Sequence, residues 1–263
     1  MTETRPARRV AVETADGMTR IALDSPHNRN ALSDQLVREL RDALAAAESD
    51  PSVRAVVLTH TGGTFCAGAD LTEASSRPVG DPARERADQL IDLLHAIMAL
   101  GKPVVGRIDG HVRAGGMGLV AACDVVVAGP RSTFALTESR LGLAASVISL
   151  TVLPRLANRA AAELFLTGDT FAAGRAAEVG LISRAVDSSD DVDAAVAEFI
   201  ASFAACSPQG LRESKSLLNH HVLAGFAADR DRLADQSSRL FASEEAREGM
   251  AAFLERRPPR WAT

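Results

Sequence analysis

A chain of 263 residues that is 46% hydrophobic and 24% charged can fill one large α/β domain or two small ones, and its composition excludes a disordered or fibrous protein. Its net charge of −5 is scattered with no basic stripe, which excludes a nucleic-acid partner of the usual kind and leaves any anionic ligand to a local site. Cys66, Cys123 and Cys206 lack CxxC spacing, so neither a disulfide framework nor a zinc site is expected. With no apolar run long enough for a signal or a membrane span, the expected location is the cytoplasm, with no membrane partner.

In chain order, Val10 to Thr14 and Thr19 to Leu23 are β-rich runs joined around Asp16-Gly17, a pair suited to the positive φ angles of a tight hairpin. After Ser33, Leu36, Val37, Leu40, Ala43, Leu44 and Ala47 recur at helical spacing until Asp50-Pro51 stops them. Ala55 to Thr59, Pro103 to Ile108 and Asp124 to Ala128 are short, apolar and β-branched, with helical segments between them. Leu90, Leu94, Ile97 and Leu100 mark the first of those segments. This alternation predicts a parallel sheet covered by helices. The segment Thr72 to Pro82 reads as a mobile loop.

From Asn158 onward the pattern is mostly helical, with helices expected over Asn158 to Leu166, Asp191 to Ala205, Gln209 to Asn219, Ala224 to Phe241 and Glu244 to Glu255. One domain is expected, with its core over residues 1–190 and a helical region over 191–263.

Two loops rich in small residues follow predicted strands, beside the carboxyl ends where ligands of open α/β sheets bind. One is Thr64 to Leu71; the other is Asp109 to Gly118, opening an apolar helix at Leu119 to Cys123. Neither matches a dinucleotide or phosphate-binding fingerprint. Small residues let a carbonyl oxygen approach the main chain, and the free N–H groups of a helix start favour an anion. Tight turns and close helix–sheet packing would use the same glycines. Composition and spacing leave both readings open.

At these loops the sequence resembles the enoyl-CoA hydratase/isomerase (crotonase) superfamily, and the likeness runs from Asn30-Ala31-Leu32 to Arg257-Pro258-Pro259-Arg260. Phe65 to Leu71 is similar to the family's first oxyanion-hole loop, which implies an amide donor at Ala69. Asp109 to Gly118 with Ala121 to Asp124 is similar to the second, which implies the other donor at Gly115. Thr133 to Glu138, followed by Leu141-Gly142, resembles the segment that carries an acid/base glutamate, here Glu138.

The resemblance implies an α/β fold, a spiral of ββα units with a C-terminal helical layer, assembled as a homotrimer or a dimer of trimers. It implies an acyl-CoA thioester as substrate, with coenzyme A part of that substrate and no separate cofactor or metal. Contacts to the CoA portion are implied at His27, Asn28 and Arg29 and along Cys66, Ala67, Gly68 and Ala69, with Asp70 beside them and Arg256 set to meet a phosphate. A solvated charge at a helix end describes Arg256 equally well.

One departure stands out. Hydratases of this kind carry a second glutamate, and the matching position is Gly118, which has no side chain. Arg113 and Ala114 replace residues more often apolar and glycine; Arg113 fits either an acidic substrate tail or a structural charge. Apolar neighbours Leu136, Leu141, Leu143 and Val147 would desolvate Glu138 and raise its pKa toward the range useful for proton transfer. Asp70 and Asp124 read as structural. The expected reaction is reversible addition of water to a 2-enoyl-CoA. The alternatives are a Δ3,Δ2-enoyl-CoA isomerase, for which one glutamate suffices, and an acyl-CoA-binding protein without catalysis.

Overall fold

Val10–Ala15 (β1) and Met18–Leu23 (β2) pair antiparallel across Asp16 and Gly17, whose φ values of 51° and 76° are the left-handed pair that a two-residue hairpin needs. The computed structural model describes residues 8–70 and 81–262. Of the expected mobile loop Thr72 to Pro82, residues 72–80 lie outside the described residues.

Strand β2 continues into a parallel array with Ala55–His60 (β3), Val104–Ile108 (β5), Val125–Ala128 (β7) and Arg184–Ala185 (β10), giving a six-stranded sheet of order β1-β2-β3-β5-β7-β10. Thr64–Cys66 (β4), His111–Arg113 (β6), Thr133–Ala135 (β8) and Phe171–Ala172 (β9) form a second sheet of order β4-β6-β8-β9, parallel except at its last pair. The chain therefore visits the large sheet, then the small one, and then turns into a helix. This cycle gives β3, β4 and Pro82–Ala99, and then β5, β6 and Gly115–Ala122. These are the expected ββα turns.

The continuous apolar runs are explained by burial on both faces. Alternation along β3 sends Val56 and Leu58 into the main core and Val57 into a second cluster with Val105 and Val127. Val192, Ala195 and Val196 of a later helix, Asp191–Ala204, cover that second cluster. The first helix, Asp34–Ser49 (α1), starts where Ser33 Oγ accepts the Leu36 N–H at 3.2 Å. It buries Leu36, Leu40 and Leu44 almost completely, each contributing about 2 kcal/mol.

Among the described residues the remaining helices are Pro82–Ala99 (α2), Gly115–Ala122 (α3), Ser149–Val152 (α4), Asn158–Thr167 (α5), Ala173–Glu178 (α6), Asp191–Ala204 (α7), Pro208–Phe241 (α8) and Glu244–Glu255 (α9). Two expectations are corrected. The pair Gln209 to Asn219 and Ala224 to Phe241 is one 34-residue helix. His220 to Leu223 contains no breaker, and the side chains on either side grip α2 and its C-terminal end. Lys215 Nζ donates to Ile97 O at 2.9 Å and Lys102 O at 3.0 Å and pairs with Asp124 at 2.7 Å; Asn219 donates to Met98 O at 3.0 Å. Helix α3 begins at Gly115 rather than Leu119, so Gly115, Gly116 and Gly118 lie inside it. Close contacts outweigh the poor helix propensity of glycine there. Among the described residues no helix is long and apolar enough to cross a membrane.

Candidate active site

The three segments singled out by sequence leave the carboxyl ends of three adjacent parallel strands. Ala69 follows β4, Gly115 follows β6 and Glu138 follows β8, and the pairings Cys66↔Val112 and Arg113↔Ala135 align those ends. The sequence reading attached the loops to the strands of the large sheet. The strands that present them are instead the short ones of the second sheet, too brief to show a period of their own.

The first loop is zipped to the His27–Leu32 segment. Ala67 N–H donates to Arg29 O at 3.1 Å, Leu32 N–H to Gly68 O at 2.8 Å and Asp70 N–H to Leu32 O at 3.4 Å, around a parallel bridge between Leu32 and Ala69. In such a bridge both bonds are made by Leu32, so the Ala69 amide faces away from it. Asn28 Nδ2 donates to Asp70 at 3.0 Å, whereas Asn28 Oδ1 is buried without a partner among the described residues. Arg9 Nη1 lies 3.1 Å from the His27 ring. Asn28, Arg29, Ala67, Gly68 and Asp70 thus form one assembly, with His27 turned to Arg9 beside it. Cys66 is buried, its sulfur accepts the Gly68 N–H at 3.4 Å, and burial pushes its thiol up to about 12. It stays protonated and unreactive.

The second loop meets the first directly. A Cβ on Gly68, whose φ is 95°, would stand 2.8 Å from Ala114 Cβ and 3.6 Å from Gly115 N. A Cβ on Gly115 would stand 2.7 Å from Leu32 Cδ1, 3.7 Å from Leu90 Cδ2 and 3.8 Å from Gly68 Cα. At Gly68, with its left-handed φ, glycine alone permits this approach, whereas a Cβ at Gly115 would have to displace the end of the Leu32 side chain. Gly115 opens α3, so its N–H has no partner one turn earlier. Among the described residues, neither Ala69 nor Gly115 donates its N–H to another group. Ala114, at φ 46° and ψ −119°, holds a backbone conformation that an alanine resists.

Glu138 lies in the 3-10 turn Thr137–Leu141. Its Oε2 is buried and has no hydrogen-bond partner among the described residues. Leu136 and Val147 are buried nearby in the chain. Burial pushes the Glu138 carboxyl up from an ordinary 4.5 to about 7, opposed only by its own backbone N–H. A carboxyl poised there exchanges protons readily near neutral pH.

Arg113 is half-buried and donates to Val112 O at 2.8 Å, Thr133 O at 2.7 Å and Thr133 Oγ1 at 2.9 Å. It ties β6 to β8 as a structural cation, and burial lowers its pKa. Asp124 is structural as expected, accepting the Val104 N–H at 2.7 Å beside Lys215. Arg256 caps α9 with φ 54° and is exposed. The sequence reading missed Asn30 as a fastener. It is fully buried, accepts the Ser25 N–H at 2.6 Å and donates to Thr61 O at 3.1 Å and Thr64 O at 2.7 Å. A groove of about 730 Å³ between α1 and α2 is lined by Arg38, Arg41, Glu48 and Gln89 among others. None of Ala69, Gly115 and Glu138 lines it.

A family model described as enoyl-CoA hydratase/isomerase matches residues 13–263. The chain belongs to that family, within the crotonase superfamily. The crystal structure of an enoyl-CoA hydratase from Mycobacterium avium matches with a TM-score of 0.90 at 52% identity, covering 98% of this chain and 100% of that one. The 2,3-dehydroadipyl-CoA hydratase of Escherichia coli strain K12 is 31% identical over 244 residues, 91% of this chain and 92% of that protein. A 4-chlorobenzoyl coenzyme A dehalogenase of Arthrobacter sp is 36% identical over 185 residues, 69% and 67% of the two chains. The protein is an enzyme of the hydratase/isomerase type.

Proposed function

We propose that the protein adds water reversibly to the double bond of a 2-enoyl-CoA thioester, with the amides of Ala69 and Gly115 binding the thioester oxygen and Glu138 moving the proton. The observation that carries this reading is the unpartnered, buried Oε2 of Glu138, on the strand end next to two loops whose amides are uncommitted. As the water oxygen bonds to the β-carbon, the π electrons pass to the thioester oxygen as an enolate. Glu138 takes the water proton and returns a proton to the α-carbon, restoring the carbonyl. Preorganised donors of this kind each lower the barrier by about 3 kcal/mol.

The zipped His27–Arg29 and Cys66–Ala69 segments are proposed to hold the CoA portion through their backbone, with Asp70 fixing Asn28 and with Arg256 at a CoA phosphate. No further cofactor enters this scheme. Exposed Leu217, Leu218, Phe253 and Leu254 support self-association as a homotrimer or a dimer of trimers. Three unpaired cysteines support the cytoplasm.

Gly118 favours a second reading, a Δ3,Δ2-enoyl-CoA isomerase, because a single carboxyl can take a proton from the α-carbon and return it at the γ-carbon. Mixing the protein with a 2-enoyl-CoA and with a 3-enoyl-CoA separates the two through the conjugated thioester absorbance. Loss with the first substrate shows hydration, and gain with the second shows isomerisation. Binding of CoA with no change in either overturns both readings and leaves an acyl-CoA-binding protein.

A further inference from the structure

Gly118 faces hydrocarbon. A Cβ built on it would stand 2.6 Å from Ile148 Cγ2, 3.1 Å from Ile148 Cβ and 3.3 Å from Leu94 Cδ1. Ile148 is 3% exposed and Leu94 0%, so the space is filled rather than open to solvent. Ile148 has no easy retreat. Thr151, on the next turn of the same segment, donates its hydroxyl both to Ile148 O at 3.3 Å and to Gly118 O at 3.1 Å, which holds the segment against α3.

We propose that Ile148 is a specificity-determining residue, filling the volume that a side chain at 118 would need and restricting proton and water handling to Glu138. This rests on the functional reading above. A water molecule held for attack needs two or more polar partners. An isoleucine and a leucine supply none, so the Gly118 side of the centre does not order water. The pair is complementary in size: a large residue at 148 requires none at 118, and a carboxylate at 118 requires a small residue at 148. Ile148 therefore leaves Glu138 as the one carboxyl at the centre that both activates water and returns the proton to the α-carbon, so water addition runs with a single carboxyl and double-bond migration competes with it.

A melting cycle tests the size relation. In a helix interior Gly→Ala normally stabilises, so Gly118→Ala should raise the melting temperature unless Ile148 blocks it. The expected result is a fall of about 2–6 °C for Gly118→Ala in the native background. Little or no fall is expected when the same change is made with Ile148→Ala. Products then test specificity. With 2-enoyl-CoA and 3-enoyl-CoA as probes, Gly118→Glu/Ile148→Ala should increase the ratio of water addition to double-bond migration about tenfold or more over the native protein. Gly118→Glu alone should melt lower and show no such gain. Independent melting effects at the two positions overturn the size relation. A coupled melting cycle with an unaltered product ratio overturns the specificity role. A native protein inert with both thioesters overturns the functional reading, which the melting cycle does not depend on.

Discussion

Gly249 of α9 rests directly on the backbone of Leu141: a Cβ at Gly249 would stand 2.5 Å from both the carbonyl carbon and the oxygen of Leu141. Leu141 ends the turn that carries Glu138, so the last helix sets the height of the carboxyl. Gly249→Ala should destabilise the protein by about 2 kcal/mol through overpacking, against the gain a helix normally takes from alanine. Turnover should fall more than acyl-CoA affinity does. Native melting together with native turnover would show that the turn yields freely.

Ala114 offers the opposite experiment. Its φ of 46° with ψ −119° suits glycine, and relief of such strain outweighs the added freedom of the unfolded chain. Ala114→Gly should stabilise the protein by about 1 kcal/mol in urea titration. A loss of stability would mean that the methyl contributes more by packing near Gly68 than its backbone loses.

Glu138→Gln should retain CoA binding and lose turnover by a factor of about 10²–10⁴, the range for removing a general acid or base. Unaltered turnover would take Glu138 out of the mechanism. The same variant reports on pH. With a folded pKa of about 7 against 4.5 for a free carboxyl, the folded protein holds an extra proton in that window. Stability contributed by the neutral form is full below about 4.5 and is lost as pH rises through 7. Native stability relative to Glu138→Gln should thus fall by up to about 3 kcal/mol between pH 4.5 and pH 8. A difference that does not vary with pH would place Glu138 in a solvated setting.

Asn30→Ala removes three hydrogen bonds that join Ser25, Thr61 and Thr64, and puts alanine at φ 54°. A loss of about 3 kcal/mol is expected, since the buried backbone groups lose their partner. Acyl-CoA affinity should weaken with it, because the same segment is zipped to the Cys66–Asp70 loop. Native affinity in a folded variant would show that the loop keeps its shape unaided.

Long apolar periods were readable in the sequence. Leu36, Leu40 and Leu44 marked α1, and the runs at Ala55 and Pro103 marked strands of the large sheet. The two small-residue loops and Glu138 were readable as a candidate site only as motifs resembling a family. What was hidden depends on contacts between distant segments. The strands of the small sheet are two or three residues long and carry no period. Ile148 against Gly118 and Gly249 against Leu141 join positions far apart in the chain, and no local pattern encodes such pairs. The fused helix Pro208–Phe241 was missed because a polar stretch around His220 and His221 resembles a loop until buried Lys215 and Asn219 are seen to anchor it.

One wall of the candidate site is lined by α2, whose Leu90 and Leu94 face Gly115 and Gly118. That helix is gripped from outside by α8, where Arg230 pairs with Asp88 at 3.1 Å and with Asp92 at 2.6 Å, and where Asp231 and Asp235 pair with Arg84. Because Asp231 and Asp235 are largely exposed, salt screens this grip, so the firmness of the two leucines behind Gly115 and Gly118 is expected to vary with ionic strength although neither leucine carries a charge.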